Sequence, residues 1–82
     1  VHLKIRFNAK QAPFILSQPI HSSQQVIYSD EFFTEITLHV IINFELISWI
    51  YSFGPEVEVI EPAWFRDQIS EDLKKAYKSY ET

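Results

Sequence analysis

From residue 2 to residue 7 apolar and polar side chains alternate, with Leu3, Ile5 and Phe7 on one side and His2, Lys4 and Arg6 on the other. A period of two is that of a strand with one buried face. Asn8 suits the N-cap of a short helix over residues 9 to 17 that turns Ala12, Ile15 and Leu16 inward. Pro13 lies inside that span and removes a helical hydrogen bond, so the regular part starts later than Asn8 suggests, and Pro19 ends it. Two strands follow, over residues 21 to 29 and 32 to 41, and the short link at Asp30-Glu31 makes them a hairpin. The second is rich in β-branched residues and reads Ile36, Leu38 and Val40 inward against Glu35, Thr37 and His39 outward.

The period then changes around the only glycine of the chain. Asn43 can cap a helix over residues 44 to 53, in which Leu46, Ile50 and Phe53 recur at helical spacing. Gly54 follows, where a left-handed residue ends a helix at low steric cost, and Pro55 cannot continue it. Val57 and Val59 alternate with Glu56 and Glu58, which predicts a fourth strand over residues 57 to 60. Pro62 opens a last helix over residues 63 to 80, with Phe65, Ile69, Leu73, Ala76 and Tyr80 on one stripe. Strand, helix, strand, strand, helix, strand and a terminal helix is the order of a ferredoxin-like α+β domain with an added C-terminal helix. That fold implies an antiparallel sheet in the order 4-1-3-2, with both crossover helices on one face. The first strand is then central, and His2, Lys4 and Arg6 face Glu56 and Glu58 on one side and Glu35 on the other.

Eighty-two residues make one domain, residues 1 to 82. Seven Phe, four Tyr and two Trp supply much of its core and leave rings for a partner surface. The chain starts at Val1 inside an alternating pattern and has no methionine, as expected of a fragment of a longer protein. There is no cysteine, which excludes disulfides and thiolate chemistry. No apolar run approaches the roughly 20 residues of a membrane span. Charge layout says more than the net charge of -4. Residues 11 to 65 hold no Lys or Arg but carry Asp30, Glu31, Glu35, Glu45, Glu56, Glu58 and Glu61. Such a segment repels a nucleic-acid backbone, which is bound by neutralising its phosphates. Arg66, Lys74, Lys75 and Lys78 are interspersed with acids, the pattern of a solvated helix face.

No catalytic constellation is legible, and the expectation is a non-enzyme without metal or cofactor. His2, His21 and His39 lack metal-ligand spacing, one glycine cannot build a phosphate loop, and no serine has a readable base. Glu56 and Glu58 fall on one solvated face, and Glu61 falls at a helix start, where an acid suits the helix dipole. Trp49 and Tyr51 lie off the apolar stripe of the second helix and Trp64 lies beside Phe65. These three rings are the candidate interface residues, since aromatic anchors are enriched at interfaces; a wide core face explains them equally well.

Several blocks occur together in a fixed order: Leu3-Lys4-Ile5-Arg6-Phe7, His21-Ser22-Ser23-Gln24, Leu46 to Gly54 with its Trp-Ile-x-x-Phe-Gly, then Val57-Glu58-Val59-Ile60-Glu61-Pro62 and Phe65-Arg66, with Tyr80 near the end. With them the chain resembles, over nearly its whole length, the C-terminal extension domain (WCX) of bacterial WYL-domain transcriptional regulators. The resemblance implies a ferredoxin-like, cytoplasmic module, without membrane contact, that follows a winged helix-turn-helix and a WYL domain. It implies a homodimer, contact with the WYL domain of the same chain, and sensing of a nucleotide or nucleic-acid effector. DNA would be bound only through the winged-helix domain, outside these residues. Asp30-Glu31-Phe32 departs from the acid-glycine hairpin turn frequent in the family. By position, Arg6, His21, Gln24 and Arg66 are the residues to contact an effector or a neighbouring domain. The arginines can hold an anion bidentately, and Gln24 both donates and accepts. Arg6 can equally do no more than pair with Glu35 or Glu58, and Arg66 no more than serve its own helix. The other reading is a stand-alone ferredoxin-like domain that binds a small molecule between two copies.

Overall fold

The computed structural model describes residues 1–81. Its elements in chain order are β1 (His2–Asn8), α1 (Ala12–Ser17), β2 (Gln25–Ser29), β3 (Phe33–His39), α2 (Phe44–Ser52), a single 3₁₀ turn over Gly54–Glu56, β4 (Val57–Glu61) and α3 (Ala63–Lys78). The strands form one open sheet in the order β2-β3-β1-β4, which is 4-1-3-2 counted from the other edge. Every neighbouring pair is antiparallel. The molecule is thus an α+β domain with a four-stranded antiparallel sheet and three helices.

Alternation decides which face is covered. Leu3, Ile5 and Phe7 of β1, Ile36 and Leu38 of β3 and Val59 of β4 are buried in one cluster with Ile15 of α1, Leu46 and Ile50 of α2, and Phe65 and Ile69 of α3. All three helices therefore roof the same side. Burying each of these large side chains contributes about 1.5–3 kcal/mol relative to leaving it in water. Phe7 is the hub for the rings: Trp49 and Phe53 each meet it edge-on, at 5.8 and 5.2 Å between centroids. The other face of the sheet carries Arg6, Glu35 and Glu58, and it is open.

The local signals act largely as read. Asn43 accepts a hydrogen bond from Leu46 N at 2.9 Å and starts α2. Gly54 takes φ +55°, the left-handed conformation that an L side chain rarely adopts, and ends it. Asp30 Oδ1 accepts from Phe32 N at 2.7 Å and Phe33 N at 2.9 Å, closing the hairpin without a glycine.

Four expectations need correction. The first helix begins at Ala12 rather than beside Asn8, whose side chain instead accepts from Gln11 N to form a turn; Leu16, expected inward, is exposed because six residues complete less than two turns. Residues 21 to 24 are not strand, because Gln24 and Ser23 spend their polar groups on a turn that precedes β2. The last helix ends at Lys78, short of Tyr80, and its apolar stripe is buried at Phe65 and Ile69 but exposed at Leu73 and Ala76, since the helix runs on past the sheet it covers. Glu56 lies in the 3₁₀ turn, bonded to Gln11 and Lys10 and not facing the β1 row, while Glu61 ends β4 instead of entering the helix.

Candidate functional site

Two polar assemblies stand out, one on each side of the sheet. On the open face, β1 places Arg6 opposite Glu35 of β3 and Glu58 of β4. Its Nε and Nη2 donate to Glu35 Oε2 at 2.9 and 2.7 Å, and its Nη1 lies 3.8 Å from Glu58 Oε1. The guanidinium also sits 4.4 Å from the centroid of Phe33, which stacks on Tyr28. Arg66 reaches over from α3, donating to Glu58 Oε2 at 2.6 Å and to the Val59 carbonyl at 2.8 Å. Glu58 thus joins the two candidate arginines. Lys4 and His2 take no part: Lys4 pairs in register with Thr37 and Glu61, and the His2 ring lies 4.3 Å from the ring of His39. An incoming anion must compete with two carboxylates already in place here.

On the helix side, at the opposite end of β1, a cleft of about 730 Å³ opens between the turn before β2, the end of β3 and the start of α2. Ile20, Val40, Leu46 and Trp49 form its apolar surface, with His21, Asn43 and Glu45 supplying polar groups. Its wall is held by a chain of hydrogen bonds. Gln24 Oε1 accepts from Ile20 N at 3.1 Å while Gln24 Nε2 donates to the Ile15 carbonyl at 3.1 Å, tying the turn to α1. Ser23 Oγ accepts from His39 N at 2.8 Å, tying it to β3. His21 Nδ1 accepts from Ser23 N at 3.0 Å and lies 2.7 Å from Ser23 Oγ, which leaves Nε2–H as the ring's donor to a ligand.

Of the four candidate ligand contacts, Arg6 and Arg66 come together on the open face, His21 lines the cleft, and Gln24 supports it from behind. The candidate interface rings separate. Trp49 is half-buried in the helix layer against Phe7 and Phe53, Tyr51 donates to Asp72 Oδ2 at 3.1 Å across α2 and α3, and Trp64 is 55% exposed beside Phe65. Sequence reasoning missed Ser23, Glu45 and Ile41. The signal for Glu45 was its place in the first turn of a capped helix, inside the segment that lacks Lys and Arg. Nothing in the pattern marks Ser23, whose role depends on β3 arriving beside it.

Four of the described groups have shifted acidities. The hydrogen bonds to Asp30 from Phe33 N, Tyr28 Oη and Phe32 N hold its carboxyl below the usual range, and the same Asp30 pushes the Tyr28 phenol up. The Gln11 amide, aided by Lys10, lowers Glu56. Burial and Asp72 raise Tyr51. Among the described residues no group of three or more His, Cys, Asp or Glu has the arrangement to hold a metal ion, and no helix is long and apolar enough to cross a membrane.

The WCX domain family matches residues 1–77. The chain belongs to the WCX family. A comparison with curated proteins finds no match. In this WCX domain the matched span runs from the start of β1 almost to the end of α3, and so includes both the arginine pair and the cleft.

Proposed function

We propose that this WCX domain is the C-terminal regulatory, dimerising and effector-sensing module of a WYL-type DNA-binding transcriptional regulator, ferredoxin-like in fold and without catalytic activity. The family match over residues 1–77 carries the reading. The strand order and the helices gathered on one face support the fold assignment. DNA recognition belongs to a winged-helix domain outside these residues, in keeping with the acidic segment from residue 11 to 65.

The dimer contact is a second copy at β2. All five residues of that edge strand are exposed, including Val26, Ile27 and Tyr28, and Phe32 in the turn that follows is exposed as well. The edge has no Lys or Pro to discourage another strand, and its irregularity is the register shift between Val26 and Tyr28. Two β2 strands paired antiparallel about Ile27 set Asp30 against Gln24 rather than against its own copy. Sedimentation equilibrium of the chain over a wide concentration range tests this. A dimer that dissociates on dilution is expected, and a monomer at every concentration overturns the dimerising role.

A further inference from the structure

We infer that the cleft between the His21 turn and the start of α2 is a binding site for a planar heteroaromatic molecule of zero or positive charge. This deepens the sensing half of the proposed function and rests on it for physiological meaning, while the binding itself stands on the cleft alone. A volume of about 730 Å³ is within the range of small-molecule sites. Trp49, Leu46 and Val40 supply apolar contact for a flat ring, and Trp49 is fixed in place by its edge contacts with Phe7 and Phe53.

The polar groups set the charge of the ligand. Glu45 makes no hydrogen bond or ion pair among the described residues, so its carboxylate is free to accept from a ligand N–H or ammonium. His21 offers Nε2–H as a donor to a ring acceptor. Among the described residues no Lys or Arg lines the cleft. At its rim the Val1 nitrogen donates to the Val40 carbonyl at 2.8 Å. A phosphorylated or carboxylated ligand would therefore meet Glu45 with no Lys or Arg of the described residues to offset it. By contrast, the cleft between β4 and α3 has its Glu58 and Arg66 already bonded to each other.

Three probes with one ring system and three charges test the inference: tryptamine, 3-methylindole and indole-3-acetate, titrated by ¹H–¹⁵N NMR into the chain acetylated at Val1 to remove the terminal charge. Tryptamine and 3-methylindole are expected to shift the amides of Ile20, His21, Val40 and Leu46 and the Trp49 indole N–H saturably. Tryptamine is expected to bind about fivefold tighter than 3-methylindole, as for one ion pair at contact in water, and roughly thirtyfold tighter than indole-3-acetate, which the same carboxylate repels. Glu45→Gln should remove that preference. Ile41→Arg, at a lining position that is 80% exposed and so changes without disturbing the core, should reverse it. Non-saturating shifts, shifts centred elsewhere, or indole-3-acetate as the tightest probe of the parent chain would overturn the site. None of these outcomes bears on the association measured by sedimentation, so the two ideas fail separately.

Discussion

β2 and β4 are edge strands of five residues each, yet Val26 on β2 is 49% exposed and Val59 on β4 only 4%. Both valines lie on the helix side, opposite Ile36 and Ile5 respectively. The difference lies in the helix that each edge has beside it. β4 runs directly into the sixteen residues of α3, which fold back with Phe65 and Ile69 in the core and spend Arg66 on the Val59 carbonyl. β2 has only α1 beside it, six residues that bury Ala12 and Ile15 and leave Phe14 and Leu16 in water. An edge is protected by the length and anchoring of the helix above it, not by the composition of the strand.

The largest way to break this contrast is to remove the anchor of α3. Phe65→Ala should destabilise the domain by about 3–5 kcal/mol, because a fully buried ring leaves a cavity that the surrounding core cannot fill. Urea unfolding followed by far-UV circular dichroism measures it; a loss under about 1 kcal/mol would show that α3 is not part of the cooperative core. Next comes the matched pair of edge valines. Val59→Ala should cost about 2 kcal/mol, whereas Val26→Ala should stay within about 0.5 kcal/mol, as at other surface positions. Equal losses in the same urea experiment would mean that both edges are covered in solution.

The helix starts offer a smaller version of the same contrast. Asn43 caps α2 with its side chain, while α1 begins at Gln11 with no side-chain cap. Asn43→Ala should therefore lower stability by about 1 kcal/mol. Thermal melts of the two proteins decide it, and an unchanged midpoint would mean that water replaces the cap without loss.

How much of this is legible in the sequence depends on the range of the forces involved. The inward row of β1, the Asn43 cap, the Gly54 stop and the opposition of Arg6 to Glu35 and Glu58 all come from residues at fixed local spacing or from register in the expected sheet. Pattern misleads where a distant partner decides. Residues 21 to 24 look like the start of a strand, but Gln24 finds the Ile15 carbonyl and Ser23 finds β3, and together they make a turn. Glu56 looks like part of the strand alternation, but Gln11 and Lys10 of the first crossover hold it. The cleft cannot be read at all, because its sides come from segments far apart in the chain, residue 1, residues 20–21 and residues 39–49.

Acid should affect the flanks of the β2–β3 hairpin and of β4 together. Asp30 and Glu56 both have lowered folded-state pKa values, so each contributes stability that is fully present above its ordinary unfolded value, about 4, and is lost as pH falls through its lowered folded value. Stability should accordingly fall below about pH 4–5, and the Asp30→Asn, Glu56→Gln double variant should show a shallower acid limb than the parent chain. Parallel acid limbs in Tm-against-pH curves would show that these carboxylates are solvated alike in both states.

The smallest effect on folding should give the sharpest reading of the exposed edge. Ile27 is 48% exposed and is the extra residue where the β2–β3 register shifts between Val26 and Tyr28, so Ile27→Lys should leave the urea midpoint within about 0.5 kcal/mol of the parent. Its consequence should instead appear between molecules. In the proposed self-pairing the two copies of residue 27 face each other, and two lysines there bring like charges together in the middle of the new ladder. Sedimentation should show the variant as a monomer at concentrations where the parent is dimeric. A variant that dimerises as well as the parent would remove β2 from the contact and return attention to the exposed ring of Trp64. A lysine at the other edge, Ile60→Lys on β4, where α3 already packs, should leave association unchanged.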